Sequence, residues 1–525
     1  MEENIPASPE TTPAPKPATP PPTYYQPAAY YQPPAPPSPY PTGKREMLFC
    51  AFTLLISLAM ANFISAGGFC LGFAITAVAS IVCSVWYLTA SGHKGNWYTR
   101  SVLALCLLIA GAFGYSSDFF VKFVLFFFLL AGVNLALCQM AGQNRRHPGG
   151  IRALLDAPRA LFALGFGRIG PAVRGVVNFF RTGGEASRRS GAILLGLAIA
   201  VPVLAIMIPL LIFADAAFEG LMDLLPEFDL NELLLTVFWG ICLFLVFYTR
   251  GAALHHEKRK SVPKNRGNGL HLLTVNTFLT AVSVLYLVYL ASQLAYFSGG
   301  FFGILPEGYS TAAYARRGFF EMAWLCAINL GIITFGISLV SRKGSVNLST
   351  RLLCLFLGLV TLFLVSASCA KMVLYIGAYG LTRMRVLTMA IIVFLALTTV
   401  LVSIWLFVPK LQYMKAVMLI GLAIGAAVIW MDVDTQVARY NVNAYLSGKL
   451  ETIDTAHLGS LGDGALESIV RLREAEDPAV AEIATNMVTY WYIAEPEDFR
   501  SWTYVNHNAQ QFSVFQEGIT RRDFN

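Results

Sequence analysis

Charge is what this chain has least of. Asp, Glu, Lys and Arg make up 13% of its 525 residues, against roughly 25% in soluble domains. With 56% hydrophobic residues and a positive mean hydropathy, that scarcity excludes an ordinary soluble domain and points to a polytopic membrane protein. Paired cysteines are missing as well. The nine cysteines lie in or beside apolar segments, none forms a C-x-x-C, and residues 432–525 have none. They behave as small apolar side chains, and neither disulfides nor zinc is implied. H-E-x-x-H, G-x-S-x-G and Walker patterns are also missing, so no enzyme and no cofactor are expected. No aromatic-interleaved basic groove is present, so no nucleic-acid partner is expected. Because the first apolar run follows a long tail, no cleavable leader is expected and the first membrane helix is expected to act as its own signal.

What is present falls into three parts. Residues 1–43 are a Pro/Tyr-rich tail with YYQP at 24–27 and 30–33. Such a composition cannot pack a core and favours extended polyproline II, so a disordered cytoplasmic tether is expected, with docking of a protein partner as the alternative. Residues 44–431 form a transmembrane bundle. Apolar runs of bilayer length, ~20 residues each, predict helices at 47–66, 69–90, 101–117, 119–138, 191–213, 233–249, 271–295, 319–340, 352–370, 386–408 and 416–431. The expected fold is therefore all-α integral membrane, with about eleven transmembrane helices in a range of ten to twelve. Residues 432–525 carry 15 Asp/Glu against 7 Lys/Arg and show helical periodicity broken at Asp477–Pro478. They are expected to form a small extracytoplasmic helical domain.

Orientation follows from basic residues in short loops. With the N-terminus inside, the inner segments collect 24 of the 38 Lys/Arg, including nine arginines in the loop 139–190. The opposite orientation would translocate that loop. Arginines seven apart (152 and 159; 174 and 181) share a helix face, which predicts short helices lying on an anionic leaflet. The outer loop 214–232 places Asp215, Glu219, Asp223 and Glu227 at every fourth position opposite Phe218, Leu221, Met222 and Leu225. That pattern predicts an interfacial amphipathic helix in preference to a metal site. His255 and His256 are sequence neighbours in a basic loop with no evident ligand partners, and Pro202 and Pro209 predict a kink in the fifth helix.

The remaining polar positions gather at the expected outer face: Arg316, Arg317 and Glu321 at the start of the 319–340 helix, Asn329 deeper in it, and Lys371, Arg383 and Arg385 between the next two. Lys122 is expected to pair with Asp118 at i, i+4. Glu321 is expected either to pair with Arg317 or Arg385 or to be protonated, because a lone carboxylate in hydrocarbon costs several kcal/mol, on the order of the desolvation of any unpaired charge. Three uses of the cluster compete: intramolecular docking of the acidic C-terminal domain, binding of an anionic lipid or lipid-linked phosphate by guanidinium groups, and gating of a solute path.

At YARRGFFEM, YGLTRMR and ARYNVNAYLSGKLETIDTAHLGSLGDGALESIVRL the chain resembles the bacterial multi-pass membrane proteins catalogued as domain of unknown function four-one-seven-three. The resemblance covers roughly residues 190–510. It marks Tyr314, Arg316, Gly318, Phe319, Glu321 and Asn329, then Tyr379, Gly380, Leu381, Thr382 and Arg385, then Asn441, Tyr445, Asp454 and Leu458. EDFRSWTYVNHNAQ (497–510) resembles a further element near the family's end. The resemblance implies a bacterial plasma-membrane location and an uncharacterised activity. The expected function is a non-enzymatic envelope, sensing or scaffold role, with transport or lipid handling as the alternative.

Overall fold

The computed structural model describes residues 40–144, 155–182, 230–257, 271–301, 319–340, 346–489 and 502–514, with scattered positions between 185 and 211. The tail up to residue 39, Pro202, Pro209, the acidic run 215–229, and Arg316 and Arg317 lie outside them, as does the side chain of Glu321.

Among the described residues every element is helical. The first group is α1 (Lys44–Gly67), α2 (Leu71–Ala90), α3 (Trp97–Ala112), α4 (Phe119–Met140), a π-helix (Arg159–Phe166), α5 (Ile169–Thr182) and α6 (Leu230–His256). The second is α7 (Leu272–Phe301), α8 (Phe319–Val340), α9 (Leu348–Tyr379) and α10 (Arg383–Phe407). Then come α11 (Tyr413–Met431) and the shorter α12 (Val433–Leu446), α13 (Thr455–Gly459), α14 (Leu466–Leu472), α15 (Pro478–Thr489) and α16 (Tyr504–Val514).

Eight described helices are long and apolar enough to cross a membrane, and the bent pair Asp156–Phe166 with Ile169–Thr182 is a candidate ninth. Two further apolar helices, Trp97–Ala112 and Met322–Ile337, are shorter. The eleven expected segments therefore each meet a described helix except the one at 191–213, which falls largely outside the described residues. One boundary moves. The helix expected at 352–370 continues to Tyr379, so Lys371 lies inside α9 and not in a link.

The buried side chains form two clusters. One joins α1–α6 with α11 and the C-terminal helices; the other joins α7–α10 with Tyr413 and Met414 at the start of α11. Helix α11 thus belongs to both. Close approach of α1 and α6 depends on two glycines. A Cβ on Gly240 would sit 2.6 Å from Leu58, and one on Gly251 would sit 2.5 Å from the Phe49 ring. Small residues at such contacts let membrane helices gain packing where no hydrophobic drive exists between them. The basic loop does more than lie on a surface, since Ala160, Leu164 and Ala172 are buried against the first cluster. Arg159 donates to the Gln143 carbonyl at 3.0 Å, and Arg168 pairs with Glu257 at 2.5 Å.

The C-terminal helices share the first cluster's core through Val437, Leu458, Ile469, Leu472, Ala484 and Ala509. The helical periodicity expected before Asp477–Pro478 has an earlier interruption, because Gly462 takes φ +68° and a 3₁₀ turn separates α13 from α14. The expected break at Asp477–Pro478 is present. Pro478 opens α15, and the Asp477 carboxylate accepts from Ala479 N at 2.9 Å.

Candidate functional site

The site grows from one corner, Tyr379–Arg385. Helix α9 ends because Gly380 takes φ +73°, where a side chain would also collide with Asn441 Oδ1 2.5 Å away. The Asn441 carboxamide, on α12, grips the next peptide from both sides. It donates to the Leu381 carbonyl at 2.8 Å and accepts from Leu381 N at 2.6 Å. Thr382 then caps α10 by accepting from Arg385 N at 3.4 Å. Arg385 turns back over the Tyr375 ring, 4.1 Å from its centroid, and donates to the carbonyls of Tyr379 (2.9 Å) and Gly380. Those carbonyls are the orphan acceptors that every helix end leaves. Among the described residues Arg385 therefore meets carbonyls and a ring, and the motif positions 379–382, 385 and 441 together build a helix corner.

Arg383 has a different environment. It opens α10, whose first turns pack against the first cluster through Val386 and Leu387 and whose body, from Ile392 on, packs in the second. It forms a two-point ion pair with Asp434 of α12, with Nη2 to Oδ2 at 2.8 Å, and donates to the Ser460 carbonyl at 3.1 Å. Its Nε lies 3.8 Å from Asp118 Oδ2, an oxygen that accepts no hydrogen bond. Asp118 itself caps α4 through Val121 N at 3.0 Å. Lys122 does not form the expected i, i+4 pair with Asp118. It is buried, and its Nζ donates to the Phe69 carbonyl at 2.6 Å, where the α1–α2 link crosses above it.

Asp432 completes the cluster. It is the described non-glycine residue with positive φ (50°), at the sharp junction of α11 and α12. Asp tolerates this region because its short carboxylate can bond locally. Here it accepts from Ser116 Oγ at 2.8 Å and Thr435 Oγ1 at 2.5 Å. Three buried carboxylates (Asp118, Asp432, Asp434) thus face two cations, Arg383 and Lys122. Burial pushes the Asp434 carboxyl up to about 6, against the pull of Arg383. Chemically, the arrangement joins three distant parts of the chain by charge and can bind or release a proton near Asp434.

The other predicted positions scatter. Asn329 is fully buried in the second cluster, donating to Thr361 Oγ1 at 3.1 Å and accepting from Tyr286 OH at 2.8 Å. Lys371 is half-buried on α9, eight residues before its end, about 12 Å along the axis. The structure brings Arg383 and Arg385 to one corner and puts Asn329 elsewhere.

Sequence reading missed Asp432, Asp434, Ser116 and Thr435. The signal was the run MDVD directly after an apolar span, two carboxylates at a membrane border. It also assigned Arg250 to a basic loop. Arg250 lies within α6, buried, donating to Asn134 Oδ1 and Ser84 Oγ at 3.3 Å each. The partners of His255 and His256 were likewise hidden by sequence distance. His93 Nε2 lies 3.1 Å from His255 Nδ1, and Glu46 of α1 is close to both α6 histidines.

Together these features define an all-helical protein of the membrane-spanning class, with a charged corner closed over by its own C-terminal helices. The chain belongs to the family described as Domain of unknown function (DUF4153), whose family model matches residues 101–472. The motif resemblance carried the number four-one-seven-three; the matching family is four-one-five-three, and an uncharacterised family is what both descriptions give. The match starts well before the expected residue 190 and ends before 510. No curated protein and no solved structure matches the chain.

Proposed function

We propose that the protein is a non-enzymatic membrane sensor or scaffold in which Arg383 latches the C-terminal helices across both helical clusters. The observation that carries this reading is the position of Arg383. It opens α10, whose body packs in the second cluster while Val386 and Leu387 at its start pack against the first, and it is held by Asp434 and the Ser460 carbonyl of the C-terminal helices and faced by Asp118 of the first. A latch of this kind couples any rearrangement of α10 to the cap. The count of basic residues supports a plasma membrane with the N-terminus in the cytoplasm and the cap on the outer side. The proline-rich tail, on the opposite side in that orientation, would carry the response to a protein partner.

Lipid handling is the second reading, and one observation favours it. A cavity of about 90 Å³ between α8, α9 and α10 is lined by Ala323, Cys326, Val365, Ser368, Thr388 and Ile392, an apolar setting for an acyl chain. Arg383 and Arg385 already have partners in the corner.

Limited proteolysis of the full-length protein in lipid discs separates the two. Arg383→Gln should expose the segment after residue 432 to protease and leave co-purifying phospholipid unchanged. Loss of bound phospholipid with an unchanged protease pattern would favour lipid handling and remove the latch.

A further inference from the structure

We propose a transition-metal site at the opposite end of α6, formed by Glu46, His255 and His256 and buttressed by His93. Three of the chain's seven histidines converge here from segments more than 160 residues apart in sequence. One ligand atom from each of Glu46, His255 and His256 lies within 4.8 Å of the other two. A tetrahedral ion with ligands at roughly 2.0–2.2 Å needs its donors about 3.4 Å apart. Side-chain rotation of about an ångström closes that difference without moving a helix.

Each group has a donor free for the ion. Glu46 uses Oε2 to accept from Gly43 N at 2.9 Å, which leaves Oε1. His256 Nε2 is buried and has no hydrogen-bond partner, an arrangement that is costly for a ring nitrogen unless something fills it. His255 meets His93 through Nδ1, which leaves its Nε2 for the ion and gives His93 the role of fixing the tautomer. The rings are held in place from outside: Tyr40 stacks on His256 at 5.4 Å, and Tyr87 meets His255 edge-on at 5.9 Å. Glu257, the nearest other carboxylate in sequence, is withdrawn by Arg168 (2.5 Å) and by the Tyr40 hydroxyl (3.1 Å).

Two imidazoles and one carboxylate suit a divalent first-row ion such as zinc, nickel or cobalt better than calcium or magnesium, which prefer all-oxygen sets. The four residues are partly exposed, so an ion has access, and the open fourth position belongs to water or a partner's ligand. Ion binding would tie the start of α1 more firmly to the end of α6, which already packs on α1 through Phe49 and Gly251, with the α2–α3 link joined through His93.

The test uses the full-length protein carrying a histidine-free purification tag, in lipid discs, dialysed against zinc chloride. We expect one zinc per chain and an X-ray absorption spectrum with a nitrogen/oxygen shell and no sulfur. His256→Ala and Glu46→Gln should each abolish stoichiometric retention, and His93→Gln should weaken it roughly 10- to 100-fold, as loss of an orienting partner does. No bound zinc in the unaltered protein overturns the site. Zinc retained by Glu46→Gln, a partly exposed isosteric change that leaves the fold intact, overturns it as well, as does a sulfur shell from the nine thiols.

Discussion

Two of the polar clusters among the described residues are built on different physics. At the corner, formal charges meet: the buried Lys122 and the partly exposed Arg383 lie against the buried carboxylates of Asp118, Asp432 and Asp434. In the second helical cluster, Tyr286, Asn329 and Thr361 form a neutral chain of hydrogen bonds between α7, α8 and α9. A neutral hydrogen bond between membrane helices is worth about 0.6 kcal/mol on average, because the separated helices also find partners. Removing one member of a buried ion pair costs about 3–5 kcal/mol, because the other charge is stranded. The triad is therefore a packing feature that a sequence can lose cheaply. The corner cannot change one residue at a time, and it is where an external proton or charge can shift a balance.

The largest effect should come from Arg383→Met. It leaves three buried carboxylates facing Lys122 alone. The expected loss is about 3 kcal/mol, the low end for a broken buried pair, since the Arg383 side chain is 34% exposed. A thermal-unfolding midpoint in detergent reports it, and Asp434→Leu in the same chain should recover part. A loss equal to that of a neutral triad variant would erase the distinction between the clusters.

Proton binding supplies the next effect. The Asp434 carboxyl is raised from 3.8 to about 6 in the folded protein. Its contribution to stability is thus fully present below the lower value and is lost as pH rises through the higher one. The cap should be more protease-resistant near pH 5 than near pH 8, by about 1.4 kcal/mol. Asp434→Asn should remove that dependence. A cap that loosens on acidification would mean that attraction to Arg383 outweighs burial.

Much of the fold was legible because apolar runs of bilayer length carry their own signal, and the ends of α1, α4, α8 and α10 fall within a few residues of the expected bounds. The corner was half legible. YGLTRMR stood out as charged and motif-like, but its use was not readable, since Asn441 grips Leu381 from 60 positions away. Arg385 looked like Arg383 in sequence. Only geometry gives one to carbonyls and a ring and the other to carboxylates. Asp432 and Asp434 were invisible as site residues because an acidic pair after a span is also what an ordinary solvated helix start looks like. Asn329 was rightly read as interior, yet its partners are neutral hydroxyls on two neighbouring helices, which no spacing rule supplies.

The neutral triad gives the third test. Asn329→Leu removes two hydrogen bonds, keeps similar volume, and leaves the Tyr286 and Thr361 hydroxyls behind. Thr361 retains its bond to the Leu357 carbonyl at 2.7 Å, so only the tyrosine is orphaned. A loss of about 1 kcal/mol is expected by unfolding, with the protease pattern of the cap unchanged.

Arg385→Lys should have the smallest effect, and it separates the two arginines of one motif. Lysine keeps the positive charge near the C-terminal end of α9, where it complements the helix dipole. It loses the planar fork that reaches both Tyr379 and Gly380 carbonyls, and it weakens the stack on Tyr375. The ring contact is worth about 0.5–1 kcal/mol at a partly exposed site, and lysine retains some of it. The net loss should therefore be about 0.5 kcal/mol, with no change in cap proteolysis at any pH. Arg383→Lys in the same assay should release the cap, since a single ammonium cannot hold Asp434 at two points and the Ser460 carbonyl together. If Arg385→Lys released the cap equally, both arginines would belong to the latch and the corner would not divide into a structural half and a switchable one.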